Sequence, residues 1–398
     1  MVNKMTMKIY KIGEICSSIC SGGTPKSSEP SFYENGTIPW LTTSEVNFCN
    51  IYDTEKKITE SGLKKSAAKY IPVNSVIVAM YGVTAGRSAI NKIELTTNQA
   101  CCNLQINHKI ADYKYVYYYL MMQSEELNKL ANGGAQQNLN SLIIKKYKIP
   151  LPDLAIQKKV SSILSNYDNL IENNNKRIKI LEDMAENLYK EWFVRFRFPG
   201  YENVEFENGI PKGWVLSSDE NNIQKPKDWY FGELNDIAFF VKGKNITSSE
   251  MIEGEIPVIS AGLEPSGYHN KSNVLGQSIT VSSSGANAGY LSYHLSDIWA
   301  ADCSYYNNQE NLWFVYNTLK FLQPVISNLQ VGAAQPHVYA KNINKLSVII
   351  PEEKYISMYC QKVESIYLEI KTLQDMNKNL KKQRDASLPK LMSGKIEV

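Results

Sequence analysis

The sequence predicts an α+β fold built twice, as two similar strand-rich domains, each followed by a long helix, related by a pseudo-twofold internal repeat. Three observations carry this reading. Short motifs echo each other in the same order between halves about 200 residues apart. Within each half the composition shifts from β-branched and aromatic runs, broken by Gly, Pro, Asn and Ser, to a long stretch with neither Gly nor Pro. Those stretches carry apolar residues at alternating spacings of four and three.

The first domain, residues 1–150, opens on Lys11-Ile12-Gly13-Glu14-Ile15, answered by Glu233-Leu234-Asn235-Asp236-Ile237. Asn35-Gly36-Thr37-Ile38-Pro39-Trp40-Leu41 is answered by Glu253-Gly254-Glu255-Ile256-Pro257-Val258-Ile259. Ser75-Val76-Ile77-Val78-Ala79 with Ala85-Gly86 returns as Ser278-Ile279-Thr280-Val281-Ser282 with Ala288-Gly289. Gly133, Gln136 and Pro152 return as Gly332, Gln335 and Pro351, each 199 positions later. A helical stretch closes each domain, Tyr113 to Leu130 and Leu312 to Leu329. Its tyrosines Tyr115, Tyr117, Tyr118 and Tyr119 read as core packing.

The first long helix is expected over 151–198, with Asp153 as its N-cap. Its seam runs Val160, Leu164, Tyr167, Ile171, Asn174, Ile178, Leu181, Ala185, Leu188 and Trp192. A linker follows over 199–227, then the second domain over 228–350. The second long helix and a C-terminal tail fill 351–398, with Val363, Ile366, Ile370, Leu373 and Leu380 in similar rhythm. At ~1.5 Å per residue, helices of about 40 residues span about 60 Å. Asn174 and Asn377 occupy matching seam positions, where a lone Asn fixes register at a cost in stability; a solvated face is the other reading. Two such helices pair naturally as an antiparallel coiled coil with one domain at each end.

Composition narrows the function. The 398 residues are 43% hydrophobic and 21% charged, which excludes disordered and collagen-like classes. No apolar run reaches the ~18 residues of a membrane helix, and Met1-Val2-Asn3-Lys4 leads into no apolar signal core. A soluble, cytoplasmic protein without a membrane partner is expected. The seven cysteines are scattered without a Cys-x-x-Cys pair, as expected of ordinary buried thiols. Four separated histidines offer little for a metal or for acid–base chemistry. Phosphate-loop, His-Glu-x-x-His and Gly-x-Ser-x-Gly motifs are missing, as is the Asn/Asp-Pro-Pro-aromatic motif of amino-methyltransferases. No catalytic, cofactor or metal site is assigned, and the chain reads as a non-enzyme. Its net charge of +3 is unevenly spread. Residues 1–150 carry +6, 151–227 carry −1, 228–350 carry −4 and 351–398 carry +2. The first domain suits a polyanion; the second does not advertise one.

Several motifs together resemble one family, the specificity (S) subunits of type I restriction–modification systems. They are Gly22-Gly23-Thr24-Pro25 with Gly36-Thr37-Ile38-Pro39-Trp40, and Ile149-Pro150-Leu151-Pro152 with Gln157. Leu188-Tyr189-Lys190-Glu191-Trp192-Phe193-Val194, Gly209-Ile210-Pro211-Lys212-Gly213-Trp214 and the C-terminal Leu388-Pro389-Lys390-Leu391-Met392-Ser393-Gly394-Lys395-Ile396 complete the set. The resemblance implies two target recognition domains, each reading one half of a bipartite site in double-stranded DNA, joined by antiparallel coiled-coil helices. The helices would act as a ruler and dock two methyltransferase subunits, through which the restriction/translocase subunits join. Cofactors, S-adenosylmethionine, ATP and Mg2+, would belong to those partners and not to this chain. Heads entering the major groove on one face contact half-sites about 34 Å apart. A structural adaptor with two protein- or glycan-binding heads is the alternative. The second domain departs from the pattern, reading Lys242-Gly243-Lys244-Asn245-Ile246, with Val258 where the first has Trp40.

Base readers need paired donors and acceptors, and phosphate contacts need cations, both presented on loops. Thr24, Lys26, Thr42, Thr43, Tyr81 and Arg87 lie in or beside Gly-rich turns of the first domain, and Gln136, Gln137 and Asn138 follow Asn132-Gly133-Gly134. Their counterparts are Lys242, Lys244, Ser260, Ser284, Asn287, Gln335 and His337. Each could equally stabilise its own turn. Lys145, Lys146 and Lys148 are weighed as phosphate contacts or a solvated face. Trp192, Phe193, Arg195 and Phe196 crowd the end of the first helix, either as packing against a head or as a methyltransferase-docking patch.

Overall fold

A computed structural model describes residues 6–132, 139–208, 224–330 and 336–398. The chain divides into two compact units, residues 1–173 with 377–398, and residues 174–376. Each unit therefore owns one strand-rich head and a portion of both long helices.

The first head is built on a five-stranded sheet in the order Cys16–Ser21, Cys101–Ile106, Val76–Ala79, Ser88–Asn91, Asn50–Ile51. Beside it runs a three-stranded sheet, Lys57–Ile58, Ile38–Leu41, Thr96–Thr97. The second head repeats the plan. Its four-stranded sheet runs Val241–Lys242, Cys303–Tyr306, Ser278–Ser282, Leu291–His294, and its three-stranded sheet Gly267–His269, Ile256–Ile259, Trp299–Ala300. In both small sheets the middle strand pairs antiparallel on one side and parallel on the other. A third pairing closes each head: Lys8–Lys11 with Lys148–Leu151, and Tyr230–Glu233 with Ser347–Ile350. The motif echoes thus fall on equivalent strands.

The tyrosine-rich stretch is helical from Tyr113 to Met122 and again from Ser124. Asp112 caps it by accepting the Tyr115 N–H at 3.0 Å. Tyr115, Tyr117, Tyr118 and Tyr119 are all buried, as core packing requires. Its counterpart, Leu312–Phe321, is buried along almost its whole length. Cys101, Cys102, Cys303 and Cys360 are buried thiols, and burial pushes the Cys102 thiol up to about 12.

The first long helix runs Leu154–Tyr189 and ends in one wider turn, Lys190–Val194, four residues short of the expected 198. Asp153 stands just before it, its carbonyl accepting from Ile156 and Gln157. No Gly or Pro marks the exit. Phe196 takes a left-handed φ of 56°, which its burial against Trp229 compensates. The second long helix runs Glu353–Met392, inside the expected 351–398, and continues through Pro389. Part of the expected linker is a hairpin, Phe206–Asn208 with Gln224–Pro226.

In the first unit, Val160 and Leu164 of the first helix join a core with Leu388, Leu391 and Met392 from the end of the second. The two segments run antiparallel: Lys159 reaches Val398 O at 3.3 Å and Asp168 pairs with Arg384 at 2.5 Å. In the second unit, Arg177 pairs with Glu369 at 2.7 Å and Tyr359 donates to Ala185 O at 3.0 Å, again antiparallel. Asn174 and Asn377 are both buried. Among the described residues no helix is long and apolar enough to cross a membrane.

Candidate nucleic-acid interface

In each head, loops from three strands converge at one end of the sheets. The strand Cys16–Ser21 runs into Gly22 and Gly23, whose N–H groups donate to Cys101 O at 3.3 Å and Thr97 O at 2.8 Å. In the second head Gly243 and Lys244 donate to Cys303 O at 2.8 Å and Ala300 O at 2.9 Å. Glycine stands at Gly22 because a Cβ there would lie 2.1 Å from Thr97 O.

The second loop is Gly82-Val83-Thr84-Ala85-Gly86, repeated 203 residues on as Gly285-Ala286-Asn287-Ala288-Gly289. Both glycines of both copies have positive φ, 81° and 83° against 74° and 85°. Gly86 donates to Ala79 O at 2.9 Å and Gly289 to Ser282 O at 2.8 Å. A side chain then ties the loop to its neighbour: Thr84 Oγ1 donates to Thr43 O at 2.5 Å, and Asn287 Nδ2 to Ala261 O at 3.3 Å. Thr43 and Ala261 follow the equivalent strands Ile38–Leu41 and Ile256–Ile259.

Trp40 lacks a counterpart in sequence but has one in space. Trp40 sits across the parallel ladder from Thr96, whereas Val258 faces Trp299. The indole has moved to the neighbouring strand and does the same work. Trp40 Nε1 donates to Gly23 O at 2.9 Å, and Trp299 Nε1 to the equivalent Lys244 O at 2.8 Å.

On the first rim Thr24, Lys26, Thr42, Thr43, Tyr81 and Arg87 are brought together. Thr24 donates to Gln99, and Lys26 is exposed. Thr42 caps its own turn, its N–H donating to Glu45 Oε2 at 3.0 Å, so it reads partly as a turn stabiliser. Tyr81 is exposed, and Arg87 donates to Asn47 Oδ1 at 2.7 Å over the Phe48 ring. On the second rim Lys242 and Lys244 are exposed, and Ser260 follows the strand Ile256–Ile259, half-buried. Ser284 donates to the Asp302 carboxylate and pairs across a β-bridge with His337, whose ring stacks on Tyr339 at 5.8 Å. Gln136, Gln137, Asn138 and Gln335 lie outside the described residues.

Sequence reasoning missed Gln99, Asp302, Asn47 and the wholly exposed Val83 at the loop tip. The repeated Gly-x-x-Ala-Gly was the available signal for Val83. The other three contact the rim only through the fold.

The family model for the type I restriction modification DNA specificity domain matches this chain twice, at residues 4–183 and 226–388. The chain belongs to that family. The type I restriction enzyme MjaIX specificity subunit of Methanocaldococcus jannaschii is 29% identical over 98% of this chain and 93% of its own. The EcoR124I/EcoR124II specificity subunit of Escherichia coli is 27% identical over 46% of each chain. The crystal structure of a type I S subunit from M. genitalium shares the fold, with a TM-score of 0.54 at 20% identity, covering 98% of this chain and 96% of its own.

The docking reading of the aromatic cluster is corrected. Trp192, Phe193, Phe196 and Phe198 are buried in the core of the second unit. Phe193 meets Phe314 edge-on at 4.8 Å and Tyr359 at 5.3 Å, and Phe198 stacks on Trp229 at 4.7 Å. Trp192, Phe193 and Phe196 therefore present no surface to a partner. Of the four residues weighed for docking, Arg195 reaches solvent, ion-paired to Glu191 at 2.5 Å.

Proposed function

We propose that this chain is the DNA sequence-specificity subunit of a type I restriction–modification complex. Each head, 1–150 and 228–350, is a target recognition domain that reads one half of a bipartite duplex site. The helices set the spacing and dock two methyltransferase subunits, through which the restriction/translocase subunits join. Methyl transfer and DNA translocation belong to those partners, with their S-adenosylmethionine, ATP and Mg2+. The chain itself is non-catalytic.

The observation that carries this reading is the duplicated rim. Two loop sets with one backbone scaffold present different side chains, Thr24 and Arg87 against Asn245 and Tyr290. Two unlike half-sites require that arrangement, since base-edge contacts specify and phosphate contacts position. Arg87 is the residue suited to bidentate contact with guanine.

The test is single-molecule mapping of methylated adenines in host genomes with and without the gene. A bipartite motif that vanishes on deletion is the expected result. An unchanged methylome, in a host where the methyltransferase subunit co-purifies with the chain and is active, would overturn the proposal.

A further inference from the structure

The second head is acidic, −4 over residues 228–350, yet three of its six lysines line one groove. Of the six lysines in that segment, Lys320 is tied to Glu186 at 2.8 Å. Lys242, Lys244, Lys271, Lys341 and Lys345 are exposed, and none of the five is in an ion pair among the described residues. Lys242, Lys341 and Lys345 line one groove of about 440 Å³, floored by Phe239, Phe240 and Val241. Phe239 is 64% exposed there.

The groove is continuous with the rim. His337 bridges to Ser284 on the loop, and its ring stacks on Tyr339. Lys341 in turn lies over the Tyr339 ring, 5.6 Å from its centre. The short helix Ala340–Ile343 then carries the chain to Lys345. The repeat supports a shared role, because Lys345 corresponds to Lys146, 199 residues earlier, which is also exposed.

We infer that the groove between Val241–Lys242 and Ala340–Lys345 holds the phosphodiester backbone of the duplex flanking the second half-site, with Lys341 and Lys345 on phosphates. This rests on the DNA reading above and adds residues to it. Unpaired cations beside a rim in an otherwise acidic head fit a polyanion. The exposed Phe239 and Val241 offer an apolar floor to the sugar carbons. An acidic protein segment would satisfy the lysines too, but it would not explain the continuity with the loop rim.

The test uses the full chain co-purified with its methyltransferase partner, binding a duplex that contains the mapped motif, titrated with KCl. The paired change Lys341→Gln and Lys345→Gln should flatten the slope of log affinity against log salt by about 2, about one per lost contact. The methylated motif should stay the same, because phosphate contacts carry no sequence information. Lys362→Gln, an exposed lysine on the second long helix, serves as the control and should leave the slope unaltered. An unchanged slope in the paired variant overturns the inference, as does a changed motif, which would make these lysines base readers. An unchanged slope with loss of a protein subunit from the complex assigns the groove to that subunit. Failure of the unsubstituted complex to bind any duplex overturns the DNA reading itself, and is seen before any variant is made.

Discussion

Arg384→Met in the second long helix is expected to destabilise the first unit by about 3–5 kcal/mol. Asp168 sits between two donors, accepting from Arg384 Nη1 at 2.5 Å and from the Tyr118 hydroxyl at 2.5 Å. The Arg384 and Asp168 side chains are only 11% and 19% exposed. Burial and the neighbouring carboxylate push the Tyr118 phenol well above its ordinary value, so it stays protonated and donates. At an effective dielectric constant of ~20 a contact pair of charges is worth about 4 kcal/mol. Met keeps much of the packing of the arginine stem, so most of the loss comes from the stranded carboxylate. Calorimetry should show the transition of the first unit lowered by about 10 °C. Asp168→Asn in the Arg384→Met background should recover much of it, because no buried charge is then left alone. A single-variant cost below about 1 kcal/mol, or additive single and double variants, would refute the argument. The second unit offers an internal comparison. Positions equivalent to Tyr118 and Asp168, 199 residues on, are Asn317 and Tyr367, joined at 3.3 Å without a charge.

Three further outcomes are expected. Gly86→Ala should cost the first head several kcal/mol and abolish reading of its half-site, because a Cβ there meets Ser124 O at 2.7 Å and Asn128 N at 2.8 Å; Gly82→Ala, with nothing within 4 Å, should cost only the left-handed backbone, about 1–2 kcal/mol. Denaturant titration of the two variants side by side checks this. His294, bonded to Thr280 at 2.9 Å, is held by burial at about 4 instead of 6.5. The unfolded chain therefore takes its proton first, and the second unit should lose about 3 kcal/mol as pH falls from 6.5 to 4; His294→Gln should flatten that dependence in pH-resolved melts. Phe193→Ala should destabilise the second unit by about 3–5 kcal/mol, whereas Arg195→Ala, whose ion pair is exposed, should cost under about 1 kcal/mol. Comparable small costs for both would restore the aromatic cluster to the surface.

The duplicated architecture was legible in the sequence because each echo sits on a strand or turn whose partners are duplicated too. Lys11–Ile15 and Glu233–Ile237 both leave strands paired to the segment before a long helix. The heptad spacing showed which face of each helix is buried, Val160, Leu164, Val363 and Ile370 among others. What was not legible depended on contacts between distant positions. Comparing columns assigns Val258 to Trp40 and stops, since the compensating Trp299 lies on another strand of the ladder. The aromatic cluster after Leu188 has the composition of an interface, and only Trp229, Phe314, Tyr355 and Tyr359 reveal it as a core. The helix exit at Phe196 breaks the usual preference for Gly or Asn at positive φ, because packing outweighs the local cost.

The scaffold of the rims explains how one fold can carry two different readers. The bonds that hold each loop set in place come almost wholly from the backbone: Gly22 to Cys101 and Gly243 to Cys303, Gly86 to Ala79 and Gly289 to Ser282. Where a side chain is needed, only the donor matters, since Thr84 and Asn287 serve equivalent carbonyls with different groups. Of the positions left over, Val83 and Ala286 at the tips have no polar side-chain group to bond with, whereas Arg87 at the first exit ties its guanidinium to Asn47 at 2.7 Å and its counterpart is Tyr290. On the DNA reading proposed above, substitution at the tips would change what the loop offers to a base edge while leaving its backbone bonds in place. The indole that moved from Trp40 to Trp299 makes the same point, because the carbonyl it holds is kept while its strand of origin is not. On the proposed DNA reading, stability in these heads rests mainly on backbone groups that carry no sequence information, and recognition falls to side chains at the loop tips and exits.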